Sequence, residues 1–328
     1  MPVDGTRRQA APAVASGYAG TMQRQSTLLP VLSALAGIGL FSVMDAFMKR
    51  ASIEVGAYNA VLWRNVIGSL IGVGPWLLVG KRQRFAAGFW PDPRRLRVHL
   101  LRSTVVAGMA VMFFYGLVRT PMAEGMALSF IAPLIALYLA ALFLGEPVTR
   151  RALAASVLAL AGVFVIAAAR NGEATDDHHE AMLGLAAILV SAVLYAVNLV
   201  LQRHQAQLAG PVEIAFFQNL FVALVAALAA PWLGAWPALP GEATALAVVT
   251  GAAGLAFVSL MLLSWAYARA EAHRLLPIEY SAFVWSALMG WLWFSEPVGL
   301  ATLAGVVLIV AGCAIGTAGD SSTEQTAL

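Results

Sequence analysis

Ten apolar stretches run through this chain, at roughly 28–49, 56–79, 97–119, 121–144, 149–168, 181–203, 211–233, 243–268, 273–294 and 299–317. Each is close to the ~20 residues that a helix needs to cross a hydrocarbon layer. Backbone N–H and C=O groups find no water there, so only helices or a closed barrel can span it. A barrel needs short strands of alternating polarity, and these stretches stay apolar for about twice a strand's length. The expected fold is therefore all-α and integral to the membrane, with ten transmembrane helices. Composition agrees: 60% of the 328 residues are apolar and 11% charged, against roughly 25% charged in a soluble domain.

One motif occurs twice. Gly145-Glu146-Pro147-Val148 and its helix return 150 positions later as Ser295-Glu296-Pro297-Val298. Between Glu146 and Gly162, nine of seventeen residues recur at that offset. Apolar helices match by accident, but the shared Glu-Pro does not follow from composition. Arg119 and Arg269 share the offset, and Trp63-Arg64-Asn65 with Pro75-Trp76 is echoed by Phe217-Gln218-Asn219 with Pro231-Trp232. The chain reads as two halves of one design: a flexible cytoplasmic tail over 1–27, a repeat over 28–170, an acidic link over 171–180, a repeat over 181–317 and a tail over 318–328. Residues 1–27 hold no short apolar core, which argues against a signal peptide.

Basic residues set the expected orientation. Arg7, Arg8 and Arg24 precede the first stretch, Lys81, Arg82, Arg84, Arg94, Arg95 and Arg97 lie between the second and third, and Arg150, Arg151, Arg203 and Arg274 fall on the same side. Glu173, Asp176, Asp177, Glu180 and Glu242 lie opposite, with Lys49, Arg50, Arg119 and Arg170 as exceptions. Both termini are expected to be cytoplasmic. Five helices per half then make the halves inverted repeats about an axis in the membrane plane, the basis of alternating access in many secondary transporters.

Ten spans in two five-helix halves, each with a Glu-Pro before its small-residue last helix, resemble the EamA-domain members of the drug/metabolite transporter superfamily over about residues 30 to 317. The stretches Phe41-Ser42-Val43-Met44-Asp45-Ala46-Phe47-Met48-Lys49 and Pro277-Ile278-Glu279-Tyr280 are similar to the subgroup with S-adenosylmethionine and riboflavin carriers. The resemblance implies a secondary transporter of a small organic metabolite (an amino acid, nucleobase, vitamin or adenosyl compound) across a bacterial inner membrane.

Polar groups inside a bilayer cost several kcal/mol and mark candidate sites. Asp45 and Arg64 stand roughly 6 Å and 12 Å inside the outer end of their helices at about 1.5 Å per residue, as a coupling or gating carboxylate and a substrate-binding cation, or as an ion pair between adjacent helices. Glu279 follows Pro277, which removes a backbone donor, and is a candidate for substrate binding or proton coupling, or a side chain reaching the interface. Tyr195 and Asn198 share a helix face by their spacing. With Asn65, Gln218, Trp265 and Tyr280 they complete the expected substrate-binding set; Tyr115, Tyr138, Asn219, Tyr267 and Trp285 are further polar or aromatic neighbours. Trp232, Trp236, Trp291 and Trp293 read as interfacial anchors. Glu146 and Glu296, each before a Pro at a helix start, read as helix caps.

Several chemistries are not expected. Twenty Lys and Arg against seventeen Asp and Glu, with the basic residues clustered at helix ends, do not form a nucleic-acid surface. The single Cys313 allows neither an intramolecular disulfide nor a cysteine metal site. His178-His179 lacks clustered co-ligands, so no metal is expected, and no phosphate-binding glycine loop or nucleophile elbow indicates a cofactor or catalytic residue. The partners expected are a small-molecule substrate, the lipid bilayer and protons, for a monomer or homodimer. The alternative is an integral membrane enzyme or lipid-handling protein using a cavity between the halves.

Overall fold

The computed structural model describes residues 28–79, 90–144, 150–171, 178–206, 208–233, 243–267 and 278–317. Among them the regular elements are all helices: α1 (Leu28–Val55), α2 (Ala57–Val79), α3 (Pro93–Arg119), α4 (Met122–Ser129), α5 (Ala132–Leu144), α6 (Arg150–Asn171), α7 (His178–Ala206), α8 (Pro211–Leu233), α9 (Ala243–Tyr267), α10 (Ser281–Phe294) and α11 (Leu300–Thr317). Six, namely α1, α2, α3, α7, α8 and α9, are long and apolar enough to cross a membrane unaided. The others contain shorter apolar stretches.

The packing partners form a pattern. α1 packs on α9 as α7 packs on α3; α2 meets α9 as α8 meets α3; α1 touches α10 as α7 touches α5. The remaining large contacts join α2 to α8 and α6 to α11. Among these larger pairs, exchanging the N-terminal helices for their C-terminal counterparts returns the same set. Such close contacts need small residues, because lipid offers no hydrophobic drive between helices and association rests on dispersion at short range. A Cβ at Gly162 on α6 would stand 2.5 Å from the Gly305 carbonyl oxygen on α11, and one at Gly116 on α3 would stand 2.7 Å from that of Gly184 on α7. Away from these seams the helices expose Leu142, Phe164, Val157, Val284 and Val307, a surface suited to lipid. Trp232, Trp291 and Trp293 are exposed near helix ends; Trp236 lies outside the described residues.

Three details differ from the sequence reading. The fourth apolar stretch is two helices, because Pro133 has no N–H to offer Ser129 and the chain tightens into a turn. There Phe130 N–H donates to Ala127 O at 3.2 Å and Ile131 N–H to Leu128 O at 3.3 Å. A similar interruption lies in the ninth stretch, where Ile278 and Glu279 are helical, Tyr280 turns, and Phe283 N–H bonds back to Tyr280 O at 3.2 Å. Thirdly, α1 continues to Val55 instead of ending near residue 49, and Gly56, at φ 80°, reverses the chain into α2. Only a residue without a Cβ takes that backbone without strain.

Candidate functional site

At one end of the bundle the longer α1 buries Lys49, which is 3% exposed. Its Nζ donates to Thr120 O at 2.8 Å and forms an ion pair with Glu296 Oε1. The second carboxylate oxygen of Glu296 accepts from Met122 N–H at 2.8 Å, the first residue of α4. Glu296 is therefore not a cap for its own helix, which starts at Leu300. Its N–H bonds to Gly290 O at 3.1 Å beyond a left-handed Ser295, a helix-ending turn of Schellman type, and its side chain reaches α1 and α4 instead. Lys49 is accordingly not a solvated loop cation. Both charges are hydrogen-bonded as well as paired, the condition under which a buried ion pair is tolerated. Glu146, the counterpart of Glu296, lies outside the described residues.

Midway along the bundle a cavity opens between α1, α2, α8 and α9, lined by Phe41, Arg64, Gln218, Asn219, Phe257 and Leu260. Arg64 and Gln218, matched in the sequence repeat, thus face the same space from α2 and α8. Among the described residues Arg64 makes only long contacts, Nη2 to Asn65 Oδ1 at 3.5 Å and Nη1 to Met44 Sδ at 3.7 Å, and its buried Nε has no hydrogen-bond partner there. Asn65 is buried and returns its own Nδ2 to Val61 O at 2.7 Å. Asp45 stands one turn along α1 from Phe41 and is electrostatically coupled to Arg64. Among the described residues no ion pair within 4.0 Å joins the two. Asn219 fits because Gly68 opposite has no side chain; a Cβ there would be 2.5 Å from its Oδ1.

Towards the other end, α3 contributes a buried polar chain that the sequence reading passed over. Arg102 donates from Nε to Asn198 Oδ1 at 2.8 Å and from Nη1 to Gln205 Oε1. Gln205 Nε2 lies 2.5 Å from His99 Nδ1, and His99 Nε2 lies 3.3 Å from Glu213 Oε1. The signal was present, since His99 and Arg102 are three residues apart inside an apolar stretch and so share one helix face. Gln205 lies past the expected end of its stretch at 203, but the helix runs on to Ala206.

Tyr195 lies within electrostatic reach of both Arg102 and Glu279. It draws the expected residues Tyr195, Asn198 and Glu279 into one neighbourhood, separate from the Arg64 cavity lining. Tyr280 packs its ring against Phe130 at 5.3 Å between centroids. Trp265 is half-buried on α9, five residues past Leu260 and outside the cavity lining. Among the described residues no cluster of three His, Cys, Asp or Glu could hold a metal ion.

Comparison with known proteins places these features in context. The EamA-like transporter family matches residues 28–168 and 182–317. The chain is 26% identical over 291 residues to the pseudopaline exporter CntI of Pseudomonas aeruginosa, covering 88% of this chain and 95% of that one. It is 25% identical over 283 residues to an S-adenosylmethionine uptake transporter of Rickettsia felis, covering 84% and 90% respectively. A solved crystal structure superposes with a TM-score of 0.56 at 24% identity, over 88% of this chain and 96% of the other, a likeness of fold.

Proposed function

Because the chain belongs to the EamA-like transporter family, a group of membrane transporters rather than enzymes, we propose that it is a secondary carrier. It moves a small organic metabolite across a bacterial inner membrane by alternating access, driven by the proton gradient or by the solute's own gradient. The observation that carries this reading is the exchange symmetry of the packing, with Arg64 and Gln218 lining one cavity from corresponding helices. A two-fold arrangement of that kind supports inverted halves, one over 28–170 and one over 181–317, each able to take the conformation its partner has left. With both termini cytoplasmic, the Lys49–Glu296 pair lies at the outer end and closes that side of the cavity.

Arg64, Asn65 and Gln218 are the substrate contacts of this reading. Tyr195, Asn198, Glu279 and Tyr280 extend the path towards the cytoplasm, with Trp265 alongside. Asp45 and Glu279 are its coupling carboxylates. The relatives do not fix direction, one being named an exporter and the other an uptake transporter.

Counterflow tests the proposal. Proteoliposomes are preloaded with a mixed metabolite extract, and entry of labelled members of the same mixture is followed. Accumulation above that in empty vesicles is expected for at least one compound; entry equal to the empty vesicles throughout would remove the carrier assignment.

A further inference from the structure

We infer that the central cavity binds the carboxylate of a small organic acid, held by the fork of Arg64, while the Gln218 carboxamide reads a second polar group of the same molecule. The inference rests on the carrier reading and names the substrate class for its cavity. A guanidinium presents five N–H donors in a planar fork. Among the described residues those of Arg64 reach only one oxygen, at 3.5 Å, and one sulfur, at 3.7 Å, both at or past the range in which a hydrogen bond is strong. Its Nε is buried and unmatched among the described residues, and unmet buried donors are costly. A carboxylate, with two parallel oxygens, is the ligand whose geometry matches the fork.

Charge narrows the class. Asp45 already bears on Arg64 electrostatically without occupying its N–H groups. A single guanidinium beside a carboxyl group offers no second positive charge for a phosphate dianion, so the fitting anion is a monocarboxylate. Gln218 lines the same cavity with no hydrogen bond to its amide among the described residues. It has both donor and acceptor capacity, which suits a hydroxyl, keto or amino group. Phe41 and Phe257 line the same space and provide an apolar surface for the body of the acid.

The full chain, reconstituted in liposomes, is assayed by counterflow with four sets of probes: hydroxy, keto, amino and aromatic monocarboxylates; the primary amide of each; phosphate monoesters; and cationic amines. At least one monocarboxylate is expected to exchange, and its amide at least about ten-fold more slowly, the order expected from losing a charge-assisted hydrogen bond. Arg64→Gln is expected to lose a similar factor, and Arg64→Lys, which keeps the charge without the fork, to raise the apparent KM while retaining part of the rate. The acid-against-amide comparison uses the unaltered protein and does not depend on a variant folding. Exchange of amides, phosphates or amines in preference to acids, or unchanged acid exchange by folded Arg64→Gln, overturns the carboxylate assignment and leaves the carrier reading intact. Absence of exchange for every probe class overturns the assignment; if the mixed extract of the previous test also fails to exchange, the carrier reading falls with it.

Discussion

Phe130 and Tyr280 meet edge to face, with ring centroids 5.3 Å apart and planes at 88°. They occupy corresponding positions at the offset that matches Glu146 with Glu296, and each stands at a turn that interrupts a helix. The two breaks are therefore in contact.

Single substitutions Phe130→Ala and Tyr280→Ala are expected to destabilise the protein, and the double substitution by less than the sum. The shortfall should be about 0.5–1.5 kcal/mol, the worth of an aromatic pair beyond its buried area. Unfolding of the four proteins in mixed micelles measures it.

If the Lys49–Glu296 pair closes the cavity as proposed, removing either partner should loosen that end of the bundle. In a Cys313→Ser background, Ser52→Cys, buried one turn beyond Lys49 on α1, reports opening through labelling by a membrane-impermeant maleimide. Lys49→Gln and Glu296→Gln are each expected to raise the labelling rate about ten-fold or more, since breaking a buried ion pair from one side costs roughly 3–5 kcal/mol. The exchange Lys49→Glu with Glu296→Lys should recover part of the protection. Unchanged labelling in both single variants would exclude a closing role.

Arg102 is bonded to Asn198 and Gln205 together. Arg102→Ala leaves two buried oxygens without donors, and a loss of roughly 2–6 kcal/mol follows at about 1–3 kcal/mol each. Gln205→Ala on top of it should cost little more, because both substitutions break one chain of bonds. Thermal unfolding of the single and double variants checks the non-additivity.

At the α6–α11 seam, Gly162→Val is expected to destabilise by about 1–3 kcal/mol through overpacking. The added Cβ alone would stand 2.5 Å from Gly305 O and 2.7 Å from Ile309 Cγ1. Ala161→Val, on a neighbouring exposed position of α6, is the control and should be nearly neutral.

How far these features were legible in the sequence depended on whether the cause was local. Helical character and the lipid-facing surface follow from unbroken apolar runs, and the matched helices follow from Glu146-Pro147 and Glu296-Pro297. Arg64 stands out by its depth and Gln218 by its polarity and its place in the repeat, and the fold brings both to one cavity. What escaped was set by tertiary partners. Glu296 looked like a cap because Pro297 follows it, whereas its actual partners are 247 and 174 residues away. Lys49 marks the expected end of the first stretch because charge usually ends a span, yet two acceptors allow the helix to continue past it. Arg102 escaped because the two side chains that accept from it, Asn198 and Gln205, belong to α7, which no local pattern on α3 reveals.

In the proposed carrier the two halves cross the membrane in opposite senses. Single cysteines in the Cys313→Ser protein at Glu54, exposed near the end of α1, and at His204, exposed near the end of the corresponding α7, test it in intact cells with an impermeant maleimide. With the halves inverted, the cysteine at position 54 is expected to be labelled from outside and the one at position 204 only after the membrane is permeabilised. Labelling of both from the same face would contradict it.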